Sequence, residues 1–406
     1  MGDRIHTAIL QFLLTHGYKE TQEAFVKEAG EFIDFDSVED VPPLDGTFSD
    51  ALNQVTRNVA SMNLERQEDF EDADGDHYST LVEQYGTIHA ANVLAVAVDP
   101  HSRCIATSST DRTVKLTNST TGITDREYRH HQAPVLSIAF HPSQANLMLT
   151  TSMDGTAVLA DTSKSDDMDP SIGVVQRFKD HQKYIVQGLF SPVDGKYMAT
   201  ASYDRTVCIY EQDQESSGHY RLIKQLGPFL GNVEAMCFAD NAVLVVGARD
   251  DNYLHYIHIQ DGFRDQKCNM NANNDDWVSF APAYLSVSPD GRYLLCSTDH
   301  SSGRIILFKK GESTQVRNYY DMPSDNQFTT RRHCWHPSGH YFYISGADDH
   351  CIRVLETKTG RVAATLKGGH TAMVRALSVD TNVGLVSVGY DHQVNIWAQP
   401  SMSIVR

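Results

Sequence analysis

Residues 389–397 read GYDHQVNIW, and six earlier segments repeat their grammar of a small-residue approach, an Asp-led turn and a β-branched or aromatic strand. They are SSTDRTVKLT (108–117), SMDGTAVLA (152–160), SYDRTVCIY (202–210), ARDDNYLHYI (248–257), STDHSSGRIILF (297–308) and ADDHCIRVL (347–355). The last strand position of each, Thr117, Ala160, Tyr210, Ile257, Phe308, Leu355 and Trp397, gives spacings of 43, 50, 47, 51, 47 and 42 residues. A self-similar period of this length marks a supersecondary unit that stacks on copies of itself.

Upstream of each hairpin lies a further strand, commonly ending in a turn signal, as in VLSIAFHPS, IVQGLFSPVDG, AYLSVSPDG and RRHCWHPSG. Each unit therefore supplies four antiparallel strands. One such sheet cannot bury both of its faces, so seven are expected to stack radially as a mainly β, seven-bladed propeller over residues 79–398. Trp397 is followed by only nine residues, too few for an outermost strand on the seventh blade. The run Ser79–Tyr85 (STLVEQY), just before the first blade's inner strand VLAVAV, is placed to supply it, leaving 399–406 as a tail.

These repeats resemble the WD-repeat family, and the last one carries the resemblance best. His370, Ser387, Asp391 and Trp397 stand at the family's positions for a buried hydrogen-bond chain from indole N–H through hydroxyl and imidazole to carboxylate. A Ser, a His and an Asp also suggest a hydrolase triad, but the resemblance gives all three a structural duty. Other repeats keep parts of the set: His89, Thr107 and Asp111; His131, Thr150 and Asp154; His181, Thr200 and Asp204; Ser345 and Asp349. The fourth and fifth are the most degenerate, and the Trp-Asp dipeptide that names the family is absent.

The resemblance also implies a binding face around the central channel. Carried over position by position, it nominates Asn92 and Leu94, Pro134 and Leu136, Tyr184 and Val186, Asn232 and Glu234, Thr329 and Arg331, and Met373 and Arg375. Just before the turn Asp it nominates Thr110, Met153, Tyr203, Arg249, Asp348 and Tyr390. Blades six and seven would then place Arg331, Met373, Arg375 and Tyr390 together, and blades three and four Tyr184, Tyr203, Glu234 and Arg249. Arg and Tyr dominate binding hot spots, so a protein or peptide contact is expected there, with an acidic stretch near the two arginines. The alternative is a solvated rim held by salt bridges such as Arg331 with Asp348.

Residues 1–30 form a second region. Ile5, Ile9, Phe12 and Leu13 share a helical face, Gly17 ends that helix, and Thr21, Phe25 and Glu28 begin and line another. Helices this short are marginal alone, and burial against a copy of themselves is an economical remedy. The string AILQFLLTHGYKETQEAFVKEA (8–29) resembles the LisH motif, which implies homodimerisation through Ile5, Ile9, Phe12, Leu13, Tyr18 and Phe25. The alternative is a helical hairpin packed on its own propeller. Residues 31–78 read as an acidic linker, with Phe48, Leu52, Val55, Val59 and Met62 at coiled-coil spacing in a short amphipathic helix at about 47–64.

Composition narrows the function. Hydrophobic content of 41% and charged content of 21% are ordinary for a globular protein, and no apolar run approaches a membrane span. No secretory leader is visible, and His6 stands where a myristoylation signal needs Ser or Thr. Residues 1–86 hold 5 Lys/Arg against 19 Asp/Glu, a net −14 of the chain's −18. The propeller is left near neutral, so neither nucleic acid nor membrane is expected as a partner. Seven singly spaced cysteines fit reduced thiols in the cytoplasm or nucleus.

Asp72, Asp74, Asp76 and Glu83 mimic EF-hand spacing, but His77 occupies the position that needs Gly. His255 and His258 are separated by an odd number on a strand and should diverge. No metal and no cofactor is expected. There is no P-loop, Rossmann fingerprint, HExxH or nucleophile elbow. A non-catalytic scaffold follows, dimerising through LisH and binding proteins on the propeller. The layout is similar to that of the dynein-regulating lissencephaly protein. LisH–propeller combinations also occur in transcriptional co-repressors, splicing factors and ubiquitin-ligase substrate receptors, which fold analogy alone does not separate.

Overall fold

The computed structural model describes residues 73–400 apart from 165–168, 170, 214–217, 272–274, 276, 321–323, 325–330 and 347, together with Val26 and Phe70. The chain divides into two compact units, 1–70 and 71–406. The LisH residues Ile5, Ile9, Phe12, Leu13, Tyr18 and Phe25, and the amphipathic segment at 47–64, lie outside the described residues.

The second unit contains seven four-stranded antiparallel sheets. Blades 1 to 6 span 93–128, 135–178, 185–226, 233–269, 282–319 and 333–366, and blade 7 takes three strands from 374–398. We letter the strands of each blade a to d from the channel outward. Burial follows that order. The b strands of blades 2, 3, 5 and 7 (Leu147–Ser152, Tyr197–Ser202, Tyr293–Thr298 and Gly384–Gly389) are buried at every residue, because each is flanked in its sheet and covered on both faces. The d strand of blade 3, Tyr220–Leu226, is mostly exposed or half-buried.

The cores lie between blades. Ala235, Val245 and Tyr256 of blade 4 pack on Leu285, Leu294 and Phe308 of blade 5. Ala199, Val207 and Ile209 of blade 3 meet Met236, Leu244 and Val246 of blade 4. Neighbours approach closely where a side chain is missing: a Cβ on Gly188 of blade 3 would stand 2.6 Å from Thr151 Cγ2 and 2.9 Å from Leu149 Cδ2 of blade 2. Polar clasps add to this. Gln187 Oε1 accepts the Met236 N–H at 3.0 Å, and His333 of blade 6 bridges Ser286 (2.7 Å) and Ser297 (2.6 Å) of blade 5.

The fourth strand of blade 7 is Thr80–Tyr85, which pairs antiparallel with Val394–Ala398 from Thr80↔Ala398 to Tyr85↔Val394. It is clasped on both sides. Tyr343 Oη accepts the Tyr78 N–H at 2.8 Å, Gln84 donates to the Gly369 carbonyl at 2.9 Å, and the Tyr85 hydroxyl donates to the Ser119 carbonyl at 3.0 Å. Glu83, the last member of the EF-hand-like series, lies in this strand opposite Ile396.

Candidate partner-binding face

Six of the seven a strands share an irregularity near their start. Pairing with the b strand skips a residue between Val93 and Ala95, Val135 and Ser137, Ile185 and Gln187, Val233 and Ala235, Pro282 and Tyr284, and Val374 and Ala376. A bulge leaves its extra residue out of the ladder and re-aims it. Four of the skipped residues, Leu94, Leu136, Val186 and Arg375, line the central channel with Tyr284 and Arg332. The bulge thus provides these six blades with one position whose identity can vary without disturbing the sheet.

A second device defines the rim. The N–H of the residue before each turn donates across the blade to the loop entering the a strand: Thr110 to Asn92 (2.9 Å), Met153 to Pro134 (3.0 Å), Tyr203 to Tyr184 (3.0 Å), Arg249 to Asn232 (2.9 Å) and Tyr390 to Met373 (3.0 Å). Main-chain bonds hold these pairs, so their side chains are free to differ. On blades 3 and 4 they form one polar and aromatic cluster. The Tyr184 ring, 45% exposed, lies 6.3 Å from that of Tyr203. Burial and the hydrogen-bonded Glu234 carboxylate push the Tyr203 phenol up. Glu234 accepts from Arg249 Nε (3.3 Å) and Nη2 (3.2 Å), and Arg249 Nη1 reaches Asp299 of blade 5 at 3.2 Å. The Glu234 hydrogen bond raises the Arg249 guanidinium above its usual value despite its burial.

Blade 6 differs from expectation. Arg331 is not offered on the face: it is only 3% exposed, and its guanidinium donates to the carbonyls of Thr298 (3.2 Å) and Ser301 (3.5 Å). Asp348 accepts from the Ser324 hydroxyl at 2.6 Å, and Thr329 lies outside the described residues. The neighbouring Arg332 lines the channel with Arg375 instead. Blade 6, like blade 4, lacks the loop histidine, but its a strand also pairs without the bulge of the other six, and a slip of one residue on a strand exchanges its two faces. Met373, Arg375 and Tyr390 are half-buried on blade 7.

The loops entering blades 4 and 5 each add an exposed apolar side chain that was not anticipated, Leu230 (66% exposed), beside Phe229 and Asp251, and Trp277 (70%). Trp277 flanks a groove of about 420 Å³ with Arg249, Phe280 and Asp299. The only sequence signal was an apolar residue inside a polar loop.

Beneath the rim lie the hydrogen-bond chains. In blade 7, Trp397 Nε1 donates to Ser387 Oγ (2.9 Å), Ser387 Oγ meets His370 Nε2 (2.8 Å), and His370 Nδ1 meets Asp391 Oδ2 (3.0 Å). Burial alone would raise the Asp391 carboxyl, but His370 and the Thr371 and Gln393 N–H groups hold it below the usual range. Blades 1, 2 and 3 repeat the His–Thr–Asp part: His89 with Thr107 and Asp111, His131 with Thr150 and Asp154, and His181 with Thr200 and Asp204, all at 2.9–3.1 Å. The serine in blade 7 is therefore bonded from both sides and enclosed with the indole. This is an arrangement for tying loop to strand.

Blade 4 solves the same problem differently. The loop-histidine place, four residues before the a strand, holds Phe229. His255 on the c strand takes over, with Nε2 3.0 Å from Asp251 in the turn and Nδ1 2.8 Å from Asp265 on the d strand. The Phe229 ring packs edge-on against it at 5.2 Å. Burial would lower the His255 pKa, but the two carboxylates outweigh it and raise it. His258 bonds Gln266 at 3.1 Å, apart from this group. Among the described residues no group of three or more His, Cys, Asp or Glu is arranged to hold a metal ion, and no helix is long and apolar enough to cross a membrane.

The fold and repeats define a seven-bladed β-propeller carrying WD40 repeats. The family model described as WD domain, G-beta repeat matches residues 82–118, 123–161 and 173–211. Each match runs from one blade's d strand through the a, b and c strands of the next, so the sequence repeat is offset from the blade by one strand. The chain is similar to the Transcriptional corepressor LEUNIG_HOMOLOG of Arabidopsis thaliana, 27% identical over 209 residues, 50% of this chain and 24% of that protein. It is similar also to the Target of rapamycin complex subunit wat1 of Schizosaccharomyces pombe, 27% identical over 169 residues, 32% of this chain and 53% of that one. The COMPASS component SWD3 of Saccharomyces cerevisiae is 26% identical over 140 residues, 34% of this chain and 41% of that protein. The similarity thus spans from a quarter to about half the length of these relatives.

Proposed function

We propose that this protein is a non-catalytic interaction scaffold whose propeller binds partner proteins on the channel-mouth face and whose N-terminal LisH-like arm makes it a homodimer. The observation that carries the reading is the continuity of Tyr184, Tyr203, Glu234 and Arg249 with the exposed Trp277, which shares a groove with Arg249. Aromatic and arginine side chains on a rigid main-chain frame are the composition of a binding hot spot. The names of the relatives as a corepressor, a complex subunit and a complex component support it. Dimerisation would present two such faces, and a bivalent partner would gain roughly 10²- to 10⁴-fold in avidity.

Affinity capture from the native cell with wild type and with Tyr184→Ala/Arg249→Glu tests the face. Partners held by wild type should be lost from the variant, and an unchanged partner set sinks the assignment. Light scattering on the full chain tests the arm. A dimer that becomes a monomer in Ile9→Glu/Phe12→Glu is expected, and a monomeric wild type ends the reading.

A second reading, a corepressor subunit working in the nucleus, is favoured by the LEUNIG_HOMOLOG match over half of this chain. Nuclear accumulation and reporter repression on tethering would support it. Membership of a LisH-containing ubiquitin ligase and dynein regulation rest on domain layout alone. Capture with the full chain would separate them by recovering a ligase core or dynein.

A further inference from the structure

The charge of the face is not evenly balanced. Around blades 4 and 5 the carboxylates of Glu234 and Asp299 are already engaged by Arg249. Arg375, the bulge residue of blade 7, and Arg332 of blade 6 line the channel, and among the described residues neither has a carboxylate within ion-pair distance. The Arg332 guanidinium instead lies 4.7 Å from the centre of the Tyr284 ring. Opposite it the walls are Leu94, Leu136, Val186 and Leu189.

A cation in apolar surroundings is expensive unless it is paired, and two adjacent ones also repel. Burial and the neighbouring Arg375 accordingly pull the Arg332 pKa down to about 10. An anion entering from solvent would relieve both costs at once. The cavity, of about 90 Å³, has room for roughly three water molecules at about 30 Å³ each. It opens to solvent and has room for one carboxylate or one phosphate group between the walls. Glu234 of blade 4 acts on Arg332 only at longer range, its carboxylate being bonded to Arg249, so the two channel arginines keep an excess of positive charge for an incoming acid.

Resting on the partner-binding reading above, we propose that Arg332 and Arg375 form an oxyanion receptor at the channel mouth that takes one acidic side chain of a bound peptide. Guanidinium groups suit this because their planar donors match a carboxylate bidentately.

The test uses the full chain as bait for a phage-displayed random peptide library. The enriched peptides should share an Asp or Glu at one position. One synthetic peptide is then titrated by fluorescence anisotropy against wild type, Arg375→Gln, Arg332→Gln and Arg332→Lys. Each Gln variant should bind about tenfold to a hundredfold more weakly, as for a charge-assisted pair, and the Lys variant should recover part of the loss. Changing the peptide acid to its amide should weaken wild type equally but Arg375→Gln hardly further, the coupling expected of a direct contact.

A phosphoserine peptide binding more tightly than the Asp or Glu form would reassign the receptor to phosphate. Peptides that bind with no acidic position, or that bind both Gln variants as tightly as wild type, overturn the receptor while leaving the binding face intact. Failure to enrich any peptide removes both. If Arg332→Gln loses its β-sheet circular dichroism, the Arg375→Gln titrations still decide.

Discussion

Blade 7 and blade 4 anchor the same turn with different parts. In blade 7 a loop histidine, His370, reaches from outside the sheet to a turn aspartate and a strand serine, and an indole completes the chain. In blade 4 the histidine belongs to the sheet itself, and it holds two carboxylates while an aromatic residue fills the loop place. The turns differ correspondingly. In blade 7 the left-handed residue, His392, follows the anchoring Asp391, whereas in blade 4 Asp250 takes that conformation and precedes the anchoring Asp251. A propeller needs the turn held, not a particular set of atoms holding it.

The largest expected effect lies in blade 7. Trp397→Ala removes a buried ring and one of the two bonds to Ser387, and should cost about 3–5 kcal/mol in urea denaturation. A loss below about 1 kcal/mol would show that the chain is dispensable. His255→Ala in blade 4 should cost about 2–3 kcal/mol, less than a fully buried pair because Asp265 is partly open to solvent. His370→Ala should follow at about 1–3 kcal/mol through unsatisfied partners. The contrast sharpens if the histidine of the degenerate blade proves the more costly to lose.

pH separates the two anchors by sign. The His255 contribution is complete below its unfolded value of 6.5 and is lost as pH rises through the higher folded value, so His255→Gln should flatten the mildly alkaline limb of stability. The lowered Asp391 contributes above its unfolded value of 3.8 and is lost as pH falls through the folded one, so Asp391→Asn should flatten the acid limb. Urea midpoints measured from pH 3 to 9 for the three proteins would check both, and parallel curves would erase the distinction. The smallest effect, about 1 kcal/mol, is expected for Phe229→Leu, which removes only the edge-on contact with His255.

This comparison also explains what was legible in the sequence. The seven repeats stood out because an Asp-led turn between small and β-branched residues is a local device that each blade repeats. His370, Ser387, Asp391 and Trp397 were readable for the same reason, lying at fixed offsets within one repeat. Blade 4 was opaque because His255 sits where a template expects an ordinary strand residue, and its partners are defined by pairing across strands. Arg331 was misleading because the blade 6 a strand pairs without the bulge that the other six carry, and one step of register moves a side chain from channel to wall. Trp277 carries no periodic signal, since the loop that bears it repeats nowhere else.

The pairing of Thr80–Tyr85 with Val394–Ala398 has a consequence in time as well as in space. The strand that closes the ring is among the first parts of the propeller to leave the ribosome, and its partner is the last. At ordinary elongation rates the two are separated by roughly tens of seconds, during which the nascent protein is a row of blades with an open edge at either end. Unpaired edges invite pairing with other chains. Until blade 7 is made, Thr80–Tyr85 has no partner strand in its own chain and stays open to pairing with another.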